Sequence, residues 1–196
     1  SSEIWMSVYT TFWPIESDLQ HRDIEIEFRG IKYLGHLVAP SRVVGKRPLV
    51  LVIHNYHGLK FFDVDVAEYL ARIGYVGLAI DLYGEYLPAD QRLFPNEVKN
   101  ITDFQKRCFE AMVRLDSDHE VFRGLIESWL KVGLEDESVE PSIDPAAIGY
   151  CFGGVAVLEA VRAGLDLGGV VSFHGLLQTG EDPNPAQFGV LRPLVK

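Results

Sequence analysis

Residues 23–28 alternate strictly, with Ile24, Ile26 and Phe28 between Asp23, Glu25 and Glu27, a period of two that predicts a strand with one buried face. Gly30 marks a turn and Tyr33-Leu34-Gly35-His36-Leu37-Val38 returns from it, so residues 24–39 read as an opening hairpin. After a polar turn over residues 41–46, Pro48 to Ile53 form a continuous apolar run without alternation, the signature of a strand covered on both sides. Val64, Ala67, Leu70 and Ala71 then recur at helical spacing over residues 63–73, and Gly74 closes that helix. Residues 75–80 make a second fully apolar run, so strand, helix and parallel strand form a βαβ unit. Residues 85–96, with Pro88 and Pro95, are a surface excursion. Helices are predicted over 97–112 and 116–130, the second with Val121, Phe122, Leu125, Ile126, Trp129 and Leu130 on one face. A strand led in by Pro145, a helix over 155–163 and a last strand over 167–174 complete the pattern. This order predicts an α/β fold, a mostly parallel sheet with helices on both faces.

In such a sheet, ligands bind at the carboxyl ends of the strands. Those ends carry His54, Asn55, Tyr56 and His57, then Asp81 and Tyr83, then Cys151, then His174, so these residues form the expected pocket rim. Cys151 stands in Gly149-Tyr150-Cys151-Phe152-Gly153-Gly154, a G-x-C-x-G-G run between a strand and a helix. This is the pattern of a nucleophile elbow with cysteine in the serine position. Its glycines allow strand and helix to meet on a strained turn, and the N–H groups at the helix start favour negative charge on the sulfur.

Composition narrows the partners. The chain has 196 residues, 47% of them hydrophobic, which suits one domain with a substantial core. Residues 24–196 form that domain, behind an arm (1–23) made aromatic by Trp5, Tyr9, Phe12 and Trp13. A net charge of -10 without a Lys/Arg cluster argues against nucleic acid or an anionic membrane as partner. No apolar run approaches the ~18 residues of a spanning helix. Two cysteines make no disulfide framework and point to a reducing, cytoplasmic setting, with Cys108 packed in a helix. No cofactor is implied, and Cys151, His54, His57 and Asp81 lack the spacing of a metal motif.

Taken together, the residue 49–53 run with its His54–Leu59 loop, Gly74-Tyr75 with Asp81-Leu82-Tyr83-Gly84, the cysteine elbow and Ser172-Phe173-His174-Gly175 resemble the dienelactone hydrolase family of the α/β-hydrolase superfamily. The resemblance implies an α/β-hydrolase fold and cleavage of a small-molecule ester or lactone through an acyl-enzyme on Cys151. It places oxyanion donors on the N–H groups of Tyr56 and Phe152, and a monomer or homodimer is expected. Three departures accompany it. Asn55 occupies the place of a family glutamate that contacts the thiol. Glu85 stands where dienelactone-cleaving members carry an arginine. The chain stops at Lys196, before the positions of the family's acid and base, so it reads as lacking the last strands and helices. His57 is the candidate stand-in base, while His174 is expected to pack or to hydrogen-bond. The alternative reading is a non-catalytic α/β-hydrolase-like binding or regulatory module or fragment.

Overall fold

The computed structural model describes residues 18–41, 45–87 and 101–175. The aromatic side chains of the arm, the proline-bearing excursion at 88–96 and residues 181–196 lie outside the described residues.

The hairpin consists of β1 (Leu19–Phe28) and β2 (Ile31–Pro40), paired antiparallel from Leu19 opposite Pro40 to Phe28 opposite Ile31. It starts five residues earlier than the alternation predicts. Gln20, His21, Arg22 and Asp23 carry no apolar signal, and backbone pairing rather than burial extends the strand through them. Next come β3 (Leu49–Ile53), α1 (Phe61–Arg72) and β4 (Val76–Ile80), and every residue of β3 and β4 is buried, as unbroken apolar runs require. A short 3-10 turn, Gly84–Tyr86, follows β4. Helices α2 (Ile101–Ser117) and α3 (His119–Leu134) lead to β5 (Ala146–Tyr150), α4 (Phe152–Arg162) and β6 (Gly169–Phe173).

The sheet order is β1-β2-β4-β3-β5-β6. β3 pairs parallel with both β4 and β5, and β5 pairs parallel with β6, whereas β2 joins β4 antiparallel. The mostly parallel sheet predicted from the pattern is therefore present, with the hairpin on one side of it. Alternate residues separate the two faces. Val38, Val52 and Ala79 pack against Ala67 and Ala71 of α1 on one of them. On the other, Leu37, Leu51, Ile53, Leu78 and Ile80 join the larger core with Trp129 and Phe122 of α3 and with Val157 and Ala160 of α4. Helix α2 adds Phe104, Cys108, Ala111 and Leu115, spaced four, three and four apart, to the same core. Helices thus cover both faces, and the carboxyl ends of β3, β4 and β5 come together at one rim.

Candidate active site

The elbow is the most constrained part of that rim. Cys151 has φ 54° and ψ -108°, a positive φ that side-chain-bearing residues rarely adopt, and it immediately precedes the first residue of α4. Its N–H donates to the carbonyl of Phe173 at the end of β6 (2.9 Å), and its carbonyl accepts from Gly154 N–H (3.0 Å). A Cβ on Gly149 would stand 2.0 Å from the Gly153 carbonyl oxygen, and one on Gly153 would stand 2.2 Å from that of Ile53. Only glycine at both places lets α4 come down onto β5 and β3. This is also why α4 starts at Phe152, three residues earlier than predicted: Gly153 and Gly154 are poor helix formers that backbone contact demands.

The loop after β3 approaches the same point, because Ile53 pairs with Gly149. It is held from several sides. His54 is fully buried; its Nδ1 donates to the Asn55 carbonyl (2.6 Å) and its Nε2 accepts from Leu82 N–H (3.0 Å). Burial lowers the pKa of His54 to about 3, so it is a neutral tie between two loops rather than an open rim group. Asn55 Oδ1 accepts from His57 N–H (2.8 Å), and the Asn55 carbonyl accepts from Gly58 N–H (3.2 Å). Tyr83 is buried, keeps its phenol proton well above the ordinary range because of desolvation, and donates it to the Tyr56 carbonyl (2.9 Å). The Tyr83 ring also lies 6.3 Å from the Phe152 ring, linking the loop to the elbow. Among the described residues the N–H groups of Tyr56 and Phe152 donate to no acceptor.

The remaining expected rim residues divide. Asp81 accepts from Tyr83 N–H (2.8 Å) through Oδ1 and from Gly84 N–H (2.9 Å) through Oδ2, so its carboxylate is spent on the turn. His57 is half-buried between the Tyr56 ring (3.9 Å) and the Phe104 ring (5.9 Å), and desolvation, with the Lys60 charge second, lowers its pKa. His174 follows β6 at φ 43° and is exposed. Among the described residues no side chain is hydrogen-bonded to Cys151 Sγ. Nor do three or more His, Cys, Asp or Glu side chains gather around a metal position among them.

Two groups escaped the sequence reading. Lys60 is buried, with Nζ 3.3 Å from the Leu59 carbonyl and 5.1 Å from the centre of the Phe104 ring, and desolvation lowers its pKa. Asp63 is buried at the start of α1, where Oδ2 accepts from Lys60 N–H (2.8 Å) and Oδ1 has no partner; burial raises its pKa to about 7. The available signal was the acidic residue three positions after a helix-entry residue, the spacing of a capping box. Cys108 packs as expected, its thiol 3.6 Å from the His57 carbonyl and pushed up to about 11 by burial.

The family model described as the dienelactone hydrolase family matches residues 34–189. A carboxymethylenebutenolidase of Pseudomonas sp. (strain P51) is 30% identical over 137 residues, covering 69% of this chain and 52% of that protein. The chain thus spans about half the length of this relative. Of the solved structures, m3DLH superposes with a TM-score of 0.68 at 32% identity, over 83% of this chain and 62% of that one. A dienelactone hydrolase-like promiscuous phosphotriesterase, P91, from metagenomic libraries, gives 0.66 at 26% identity over the same shares.

Proposed function

Since the chain belongs to the dienelactone hydrolase family, we propose that it is the nucleophile-bearing part of a hydrolase that cleaves an ester or lactone through a cysteinyl acyl-enzyme. The observation that carries this reading is Cys151 at φ 54° on the turn into α4, followed directly by Phe152, with no acceptor among the described residues for the N–H groups of Phe152 and Tyr56. In the proposed reaction Cys151 Sγ attacks the carbonyl carbon, and those two N–H groups receive the charge that develops on its oxygen. The carbon–oxygen bond to the leaving group breaks, a thioester remains on Sγ, and water releases the acid. His54 cannot serve as general base, because both its nitrogens are engaged and it stays neutral. The reading gives that role to a histidine of the longer family protein.

The test is hydrolysis of p-nitrophenyl acetate by the full-length protein that carries this histidine, as wild type, Cys151→Ala and Cys151→Ser. Loss of turnover in Cys151→Ala is expected, and equal rates for wild type and Cys151→Ala would overturn the reading. The likeness to a promiscuous phosphotriesterase makes a p-nitrophenyl phosphotriester the second probe.

A second reading, a binding or regulatory module, draws on Asn55, whose side-chain oxygen is spent on His57 N–H, and on a Cys151 thiol without a described hydrogen-bond partner. Iodoacetamide separates the two. Alkylation of Cys151 near neutral pH well above the rate of a free thiol supports the enzyme, and slow alkylation without turnover supports the module.

A further inference from the structure

Away from the rim, the hairpin and α1 bring together two histidines and two carboxylates. In the β1–β2 register Asp23 stands opposite His36 and His21 opposite Val38, so His21, Asp23 and His36 share the sheet face that α1 covers. His21 Nδ1 and His36 Nε2 approach to 3.1 Å. Each ring's other nitrogen faces a carboxylate: His36 Nδ1 is 2.8 Å from Asp23 Oδ1, and His21 Nε2 is 3.7 Å from Glu68 Oε1 on α1. Glu68 is steadied in turn by Arg72, 3.5 Å away one turn later.

We propose that His21 and His36 form a two-nitrogen site for a divalent transition-metal cation of the nickel, copper or zinc type, oriented from behind by Asp23 and Glu68. The spacing fits. With metal–nitrogen bonds of about 2.0–2.1 Å, two nitrogens 3.1 Å apart subtend about 100° at the metal, between the right angle of tetragonal sites and the tetrahedral angle. The rings now meet as an N–H···N pair, with centroids 5.3 Å apart and planes inclined by 45°. Coordination replaces the bridging proton and turns both lone pairs toward one point, leaving His21 Nε2, which faces Glu68, to carry that ring's proton. Imidazoles whose outer nitrogens donate to carboxylates are the usual metal-bound arrangement, because the carboxylate fixes the tautomer and strengthens the ligand. Among the described residues no third His, Cys, Asp or Glu converges on the point, so water fills the remaining positions. The -10 net charge favours any cation, but two imidazoles select the borderline metals over magnesium or calcium.

The experiment is calorimetric titration of the intact chain with NiCl2, beside His21→Gln, His36→Gln and Asp23→Asn, with Cys151→Ser to remove binding by the thiol. One equivalent of Ni2+ is expected in the wild type and in Cys151→Ser, lost in both histidine variants, and weakened about tenfold in Asp23→Asn. Circular dichroism of each variant verifies that these surface substitutions leave the fold intact. Nickel binding that survives His21→Gln and His36→Gln, or wild-type binding no tighter than that of these variants, overturns the proposal.

Discussion

At the scale of single residues, two buried groups near the rim titrate in opposite senses. The pKa of His54 falls from 6.5 to about 3, so its contribution to stability is complete above pH 6.5 and is lost progressively as pH falls toward 3. That of Asp63 rises from 3.8 to about 7, so its contribution is complete below pH 3.8 and is lost as pH rises through 7. Between these limits the unfolded chain binds about one proton more at His54 and about one fewer at Asp63, and the two slopes cancel. Each alone amounts to about 1.4 kcal/mol per pH unit. Relative to wild type, the unfolding free energy of Asp63→Asn should therefore rise with pH between 4 and 6.5, and that of His54→Gln should fall. Urea unfolding at half-unit pH steps reads this, and parallel curves for all three proteins would refute it. Asparagine can still accept from Lys60 N–H, so above pH 7 Asp63→Asn should be the more stable protein. Neither group announces its environment in the sequence. His54 reads as a rim residue because it ends a strand, and only the neighbouring DLYG turn shows that Leu82 N–H claims its free nitrogen.

At the scale of elements, the join between β5 and α4 sets what can change. Gly149→Ala would place a methyl 2.0 Å from a backbone oxygen with no flexible neighbour to yield, whereas a Cβ at Gly169 in β6 meets nothing within 4 Å. Gly169→Ala should leave stability unchanged or raise it by about 0.5 kcal/mol, since alanine surrenders less backbone entropy. Gly149→Ala should cost more than about 3 kcal/mol, as overpacking against backbone does at its worst. Denaturant midpoints decide, and a mild Gly149→Ala would mean the elbow is looser than its contacts imply. Farther along α4, Glu159 is fully buried between Arg123 of α3 (2.9 Å) and Arg162 (2.5 Å). Removing the carboxylate leaves Arg162, which is also largely buried, without this counter-charge. Glu159→Leu should destabilise by about 3–5 kcal/mol in the same assay. The G-x-C-x-G-G pattern foretells the elbow because steric demand is written in glycines. The ion pair is not legible: its partners are 36 residues apart in sequence, and a glutamate on a helix reads as surface until helix packing is known.

At the scale of the molecule, the sequence resolves strand identity better than strand order. Unbroken apolar runs mark β3 and β4 as interior strands, but the insertion of β4 between β2 and β3 depends on the handedness of the crossover and the route of the hairpin, which no local pattern encodes. The consequence of that order falls on β6. It ends the sheet of described strands, and unlike β3 and β4 it keeps Val171 and Phe173 nearly half exposed. Phe173 stacks on Tyr150 at 4.8 Å, Tyr150 meets Phe62 edge-on at 5.0 Å, and Phe62 is half exposed, so an aromatic row runs from the sheet edge to α1. An apolar strand with one paired neighbour among the described residues is a template for association, while a net charge of -10 opposes approach of a second copy. Salt screens the repulsion and leaves the apolar attraction, so self-association of the 196-residue chain should increase from about 10 mM to about 0.5 M NaCl. Val171→Lys and Phe173→Lys should suppress it, because each sets a charge on the contact surface. Sedimentation velocity at both ionic strengths distinguishes this from charge-driven assembly, which salt would weaken and which these lysines would leave intact.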